Sequence, residues 1–240
     1  NGYFSTIVGD ANTLDVNFNN GGNLTLEKND STQSGSFLKS GTVGGVNNVL
    51  LNQIFSTTGT IFENGDQTHF INNYIQTPGT TIFAGDFDFA QISDNFAVSA
   101  GSVSALDIQN TDELIFSNNT FYTTAILGTV TNASIIGNRF RGTISNTDVI
   151  SLINCDFITI VGNEISTGTA PSNLDGINLN NDCDANVITG NYINIAAGTP
   201  SYAVNIVDAA SANNTVVGNT LGGVTADVND GGTGNTIGNN

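Results

Sequence analysis

Apolar side chains recur along this chain in short alternations cut by Asn, Asp and Gly, and no stretch of 12 residues keeps a clean 3.6-residue apolar period. That is the pattern of short strands joined by tight corners. Aligning the chain on an Asn with an apolar residue three before it and another two after it brings out a series. It reads Phe70-Ile-Asn-Asn73-Tyr-Ile75, Phe116-Ser-Asn-Asn119-Thr-Phe121, Ile135-Ile-Gly-Asn138-Arg-Phe140, Ile160-Val-Gly-Asn163-Glu-Ile165, Ile188-Thr-Gly-Asn191-Tyr-Ile193 and Val216-Val-Gly-Asn219-Thr-Leu221. Asn95 follows Ile92 in the same way, and Thr236-Ile-Gly-Asn239 closes the series. Steps of 22, 24, 19, 25, 28, 28 and 20 residues separate these Asn positions, a repeat of variable length.

Two further markers fall between them. Leu106/Ile108, Ile150/Leu152, Ile177/Leu179, Val204/Ile206 and Ala226/Val228 each place two inward residues before an Asn or Asp. A Gly follows each repeat Asn, at Gly79, Gly101, Gly142, Gly168, Gly198 and Gly222, with Pro78, Pro171 and Pro200 close by. Three corners per repeat with strands of 4–6 residues between them describe one rung of a three-sided coil. In such a coil each strand pairs in parallel with the rungs on either side, about 4.8 Å away. Asn and Gly suit corners because they tolerate φ > 0, and stacked Asn side chains bond from rung to rung. Asn119, Asn138, Asn163, Asn191 and Asn219 are therefore expected to form a structural ladder.

This pattern resembles the right-handed parallel β-helix repeat of the pectate-lyase-like superfamily. The resemblance implies an all-β fold, a right-handed single-stranded parallel β-helix forming a three-sided solenoid of about 9 rungs. Residues 48–240 carry the repeat; 1–47 are read as less regular opening rungs or a cap, all within one domain spanning 1–240. The superfamily includes lyases, hydrolases, phage tailspikes and surface adhesins, so the resemblance bears on fold far more than on function.

Composition narrows the function classes. A net charge of −17, from 21 acidic and 4 basic residues, repels phosphate backbones, so no nucleic-acid partner is expected. No run approaches the 18 or so apolar residues of a membrane span. The chain holds 37 Asn but only 10% charged residues. Basic side chains for β-elimination are limited to Lys28, Lys39, Arg139, Arg141 and His69, and no two of these types converge by repeat position. Arg139 and Arg141 flank inward Phe140, and Glu164 stands on the same beat one rung on, so a cross-rung Arg139–Glu164 pair is expected.

Carboxylate pairs for hydrolysis are Asp86 with Asp88, Asp112 with Glu113, and Asp182 with Asp184. Polygalacturonase-like enzymes carry an Asn-x-Asp, a neighbouring Asp pair, a Gly-His-Gly and an Arg-x-Lys. Asn110-Thr-Asp112 and Asn146-Thr-Asp148 match only the first, and no catalytic residue is assigned from that family. The two longest rungs put extra residues at one corner, 168–176 and 198–203, where Asp175 and Tyr202 are candidate ligand-binding residues. Asp175 is accordingly expected to be dispensable for folding. Asp156, Asp182, Asp184 and Asp208 stack on successive corners as candidate ligands for Ca²⁺; apart from that ion no cofactor is expected. Cys155 and Cys183, at one corner of consecutive rungs, admit either a disulfide or two buried thiols.

Two functions follow. The leading expectation is a non-enzymatic extracellular structural protein, a β-helical subunit of a surface filament, adhesin or phage spike at the cell surface or on a virion. Asn239-Asn240 stopping in mid-rung implies self-assembly through open rung ends, head to tail or as a trimer. The alternative is a β-helix that binds or degrades a surface polysaccharide, glycoside hydrolase-like or lyase-like, at the 168–176/198–203 loops.

Overall fold

A computed structural model describes residues 4–11, 16–18, 23–33, 38–40, 47–50, 52–56, 60, 62–64, 66–77, 81–99, 106–142, 148–167, 175–195, 202–224 and 226–240. These residues form an all-β, right-handed parallel β-helix with three faces. The first face runs through nine strands from Asn47–Leu50 to Thr236–Gly238, and the second through eight from Gln53–Ser56 to Thr220–Gly222. The third is a ten-stranded sheet from Val16–Phe18 to Ala226–Asp230, close to the nine rungs the spacing predicts. The long strand Asn23–Gln33 pairs with the opening strands of both the first and second faces, and Phe4–Ala11 pairs with it in turn. Residues ahead of the regular repeat thus lie in the same sheet as the coil.

Alternation decides what is inside. In Thr68–Ile71, Ile150–Ile153 and Ile177–Asn180 every second side chain is buried. Like residues stack in register: Ile160 between Ile135 and Ile188, and Leu152 between Leu127 and Leu179. Burying each such side chain contributes roughly 1.5–3 kcal/mol. The early rungs are aromatic instead, with Phe62, Phe70 and Phe83 rings 4.7 to 5.1 Å apart. The strand Ala125–Gly128 fills the third-face rung between Leu106–Gln109 and Ile150–Ile153, a rung the sequence markers pass over because Thr129 stands where the other rungs have Asn or Asp.

One corner, between the first and second faces, carries a continuous Asn chain. It runs Asn52, Asn73, Asn95, Asn119, Asn138, Asn163, Asn191, Asn219 and Asn240. From Asn73 to Asn219 each donates its amide Nδ2 to the next Asn Oδ1 and also to a main-chain carbonyl of the preceding rung, as Asn163 does to Asn191 and Ile135, both at 2.9 Å. The backbone N–H bonds to the same Oδ1. The last member is Asn240, one place beyond the Asn239 of the sequence alignment, because Ile237 pairs with Val216 and Asn239 takes the left-handed corner position. A second, shorter chain, Asn186–Asn214–Asn235, ties the last three rungs at the corner between the third and first faces.

Candidate functional site

The corner leading from the third face into the first repeats a left-handed residue in each rung: Gln67, Phe89, Glu113, Asn132, Phe157, Ala185 and Asn213. The residue before it is an Asp in most rungs, at Asp66, Asp88, Asp112, Asp156 and Asp184. In the middle and late rungs these carboxylates hold the coil together. Asp112 accepts the Thr131 hydroxyl at 2.7 Å and the Asn132 amide at 2.8 Å, which hold its carboxyl below the usual range. Asp156 accepts the Asp184 N–H at 2.9 Å, and Asp184 accepts that of Ala212 at 2.6 Å.

The early rungs differ. Asp66, Asp86 and Asp88 bring carboxylate oxygens within 4.8 Å of one another, the one such acidic group of three among the described residues. Asp88 Oδ1 accepts the Asp112 N–H at 2.5 Å, but Asp66 Oδ1 and Asp86 Oδ1 are buried atoms without a hydrogen-bond partner. Partial burial and then the negative charges of Asp88 and Asp66 push the Asp86 carboxyl up to about 6. Burial, reinforced by Asp88, raises Asp66 as well. Asp86 is placed by the strand Phe83–Gly85, whose last residue has φ +101. A Cβ on Gly85 would stand 2.1 Å from Asn64 Oδ1, the atom that accepts the Asp86 N–H at 3.0 Å. Phe89, next to Asp88, is 51% exposed at φ 56, a backbone state that bulky residues rarely adopt. His69 is half-buried on the strand that Asp66 precedes.

Three carboxyls this close, two of them with a buried oxygen that has no hydrogen-bond partner, can hold a proton between them near neutral pH or bind a hard cation through oxygen. Sequence spacing singles out Asp86 and Asp88 as a pair but misses Asp66. The 22-residue step from Asn73 to Asn95, applied to Asp66, lands on Asp88 and was the available signal.

The other candidate residues fall as follows. Asp175 and Tyr202 come together, but Asp175 is 9% exposed and its carboxylate accepts the Tyr202 N–H at 2.8 Å and the Asn205 amide at 2.6 Å. Asp175 N–H bonds in turn to Asp148, so this carboxylate joins rungs and is no dispensable loop residue. Burial pushes its carboxyl above the usual carboxylate range despite those two bonds. Residues 168–174 and 196–201 of the two long loops lie outside the described residues, as do Gly79, Gly101, Pro78, Pro171 and Pro200. Asp156 and Asp184 are engaged in the main-chain bonds above, Asp208 accepts the Ala210 N–H at 3.0 Å, and Asp182 is an exposed left-handed corner. Cys155 and Cys183 are free, buried thiols rather than a disulfide. Each sulfur lies close to a carbonyl of the preceding rung, 3.2 Å from Leu127 O and 3.6 Å from Leu152 O, and Cys183 Sγ accepts the Cys155 N–H at 3.4 Å. The hydrogen bond with Cys183, together with burial, pushes the Cys155 thiol up. Arg139 meets Glu164 at 3.2 Å across rungs.

No family model and no curated protein sequence matches the chain. Among solved structures, it is similar to DFA-IIIase from Arthrobacter chlorophenolicus A6 without its lid in complex with GF2, at TM-score 0.64 and 12% identity, covering 90% of this chain and 65% of that one. The same enzyme with GF2, described without mention of lid removal, gives 0.61 at 13% identity, covering 90% and 66%. The A-module of the Azotobacter vinelandii mannuronan C-5 epimerase AlgE6 gives 0.52 at 12% identity, covering 90% and 63%. The likeness is one of fold, and the chain spans just under two thirds of the length of these neighbours.

Proposed function

We propose that this protein is a carbohydrate-active β-helix that handles its glycan at the Asp66–Asp86–Asp88 group. The observation that carries the reading is the Asp86 carboxyl, held to about 6 beside two further carboxyls at an outer corner. Such a group gives up or takes a proton near neutral pH, which is the working range of a general acid or base. Asp86 would protonate the leaving glycosidic oxygen while a neighbouring carboxylate attacks or activates water. Oxygen separations within 4.8 Å sit nearer the ~5–5.5 Å of retaining pairs than the wider inverting ones. Phe89 offers an exposed ring beside Asp88 for the flat face of a sugar. The fold neighbours named above are themselves enzymes of carbohydrate chemistry, which supports this reading over that of a structural filament or spike subunit, for which the fold alone speaks. A glycan ligand is consistent with an extracellular or cell-surface setting.

A second reading of the same trio is a Ca²⁺ site, favoured by the two buried carboxylate oxygens without partners. Reducing-end and unsaturated-sugar assays on a panel of polysaccharides, with and without Ca²⁺ or chelator, test both. Activity that declines as pH passes about 6 and is lost in Asp86→Asn supports the acid role. Activity that requires Ca²⁺ moves the trio to the metal reading, and no product from any polysaccharide removes the catalytic role.

A further inference from the structure

The nine strands of the first face contain no Asp, Glu, Lys or Arg, in a chain whose net charge is −17. The second face carries Arg139, Arg141 and Glu164, and the third Glu63 and Asp107. Five consecutive rungs of the first face also share one outward composition. Each sets one hydroxyl and one branched aliphatic side chain two residues apart, in either order: Ile115/Ser117, Ser134/Ile136, Thr159/Val161, Val187/Thr189 and Thr215/Val217. The strands pair in unbroken register, so these side chains form two straight ranks. Ile115, Ile136 and Val187 are 49%, 42% and 37% exposed. Among the described residues, none of the five hydroxyls is bonded to another protein group.

The margins of these rungs are quiet as well. Gly137, Gly162, Gly190 and Gly218 turn the corner out of the face at φ 64 to 67, where earlier rungs use Asn72, Asp94 and Asn118. Asn and Asp serve that conformation in those rungs, so what Gly adds is a margin without side chains. At the other margin the carboxylates of Asp112, Asp156 and Asp184 are engaged in bonds between rungs.

We propose that this face binds ice. Five like rungs form no pocket; they repeat one small motif about every 4.8 Å over about 19 Å. A ligand that uses every repeat is itself a lattice, and that spacing is close to a repeat of water rows in hexagonal ice. Neutrality leaves nothing to hold an ionic ligand, and a second copy of the chain would bring another −17. No outward aromatic ring stands on these five strands to stack on the sugars of a crystalline glycan. Ice is neutral, periodic and made of groups that both donate and accept. A Ser or Thr hydroxyl does the same and can stand in for a lattice water. The methyl groups beside it order first-shell water without fixing it around a charge. The five rungs lie beyond the Asp66–Asp86–Asp88 group along the coil, so the proposal does not rest on the glycan reading.

The test is ice recrystallisation in an annealed sucrose film, together with capture of the fluorescently labelled intact chain by a growing ice hemisphere. The parent is expected to slow grain growth and to enter the ice. Thr159→Lys and Val187→Lys should each need about tenfold more protein for the same slowing, since an ammonium on the face resists losing its water. Thermal melts show whether these variants are folded. Tyr192→Lys makes the same change of charge on the second face, and Val187→Thr keeps a neutral branched side chain; both should act like the parent. The proposal is overturned by a parent chain left in the liquid or by folded Lys variants of the first face that are as active as the parent. It is also overturned by an equal loss in Tyr192→Lys or Val187→Thr, or by sedimentation showing a dimer that Thr159→Lys dissociates.

Discussion

Removing one rung of the Asn chain tests the account of what holds this fold together. Asn163 is buried in mid-coil, and its side chain accepts the Asn138 N–H at 2.8 Å and the Asn138 amide at 3.0 Å. It donates to Asn191 Oδ1 and to Ile135 O, each at 2.9 Å. In Asn163→Ala the Asn138 amide keeps Phe116 O and Asn191 Oδ1 keeps the Asn163 N–H. The Asn138 N–H and Ile135 O lose these bonds inside a corner closed to water. At about 1–3 kcal/mol for each buried group left unsatisfied, the loss is about 2–6 kcal/mol. For a chain of this length that corresponds to a fall in melting midpoint of roughly 4–24 °C. Equilibrium urea unfolding followed by far-ultraviolet circular dichroism measures it, with Thr159→Ala, partly exposed on the strand just before Asn163, as the reference. Urea slopes should match the parent, since a changed slope would mean partial rather than whole unfolding. An Asn163→Ala loss no larger than that of Thr159→Ala, about 0.5 kcal/mol, would refute the view that the side-chain chain carries stability.

Three more outcomes follow. Because Asp86 has its carboxyl raised to about 6 in the folded state against 3.8 ordinarily, the folded form binds the extra proton between those values. The melting midpoint should therefore decline as pH rises from about 4 to about 6, with a shallower decline in Asp86→Asn; equal slopes would remove Asp86 as the cause. Asp175→Ala strips partners from the Tyr202 N–H and the Asn205 amide and should lower stability by about 2–4 kcal/mol in the same urea assay, whereas an intact midpoint would return it to a loop role. Phe140→Ala, in a stack with Phe116 at 5.8 Å, should cost about 3–5 kcal/mol, while Glu164→Gln on the exposed side of the neighbouring strand should change stability by less than about 1 kcal/mol.

The alternation around each repeat Asn made the fold legible, because inward Phe70, Ile135, Ile160 and Ile188 and the corner Asn residues belong to one short local pattern. The slip from Asn239 to Asn240 arose where two Asn residues stand together and step lengths vary, so residue type alone cannot choose between them. The cross-rung bonds of Asp175 were not legible because loop length locates extra residues without saying where the loop hands over to the strand; its carboxylate bonds to the next rung's main chain. For Cys155 and Cys183 spacing brought the sulfurs near each other, but main-chain carbonyls of the preceding rungs fix where each sulfur points. The carboxyl trio needed contacts across rungs, which only the Asn-to-Asn step encodes.

The Asn chain also acts as an index. Its links are 21, 22, 24, 19, 25, 28, 28 and 21 residues long, yet every link closes with the same amide bond. A segment cut from one ladder Asn to just before the next thus carries one donor set and one acceptor set, whatever its length. Such segments are interchangeable cassettes: a rung could be duplicated, deleted or transplanted with its loop, and the neighbours would meet the same partner. A loop can then lengthen into a binding surface while the register of the core stays fixed.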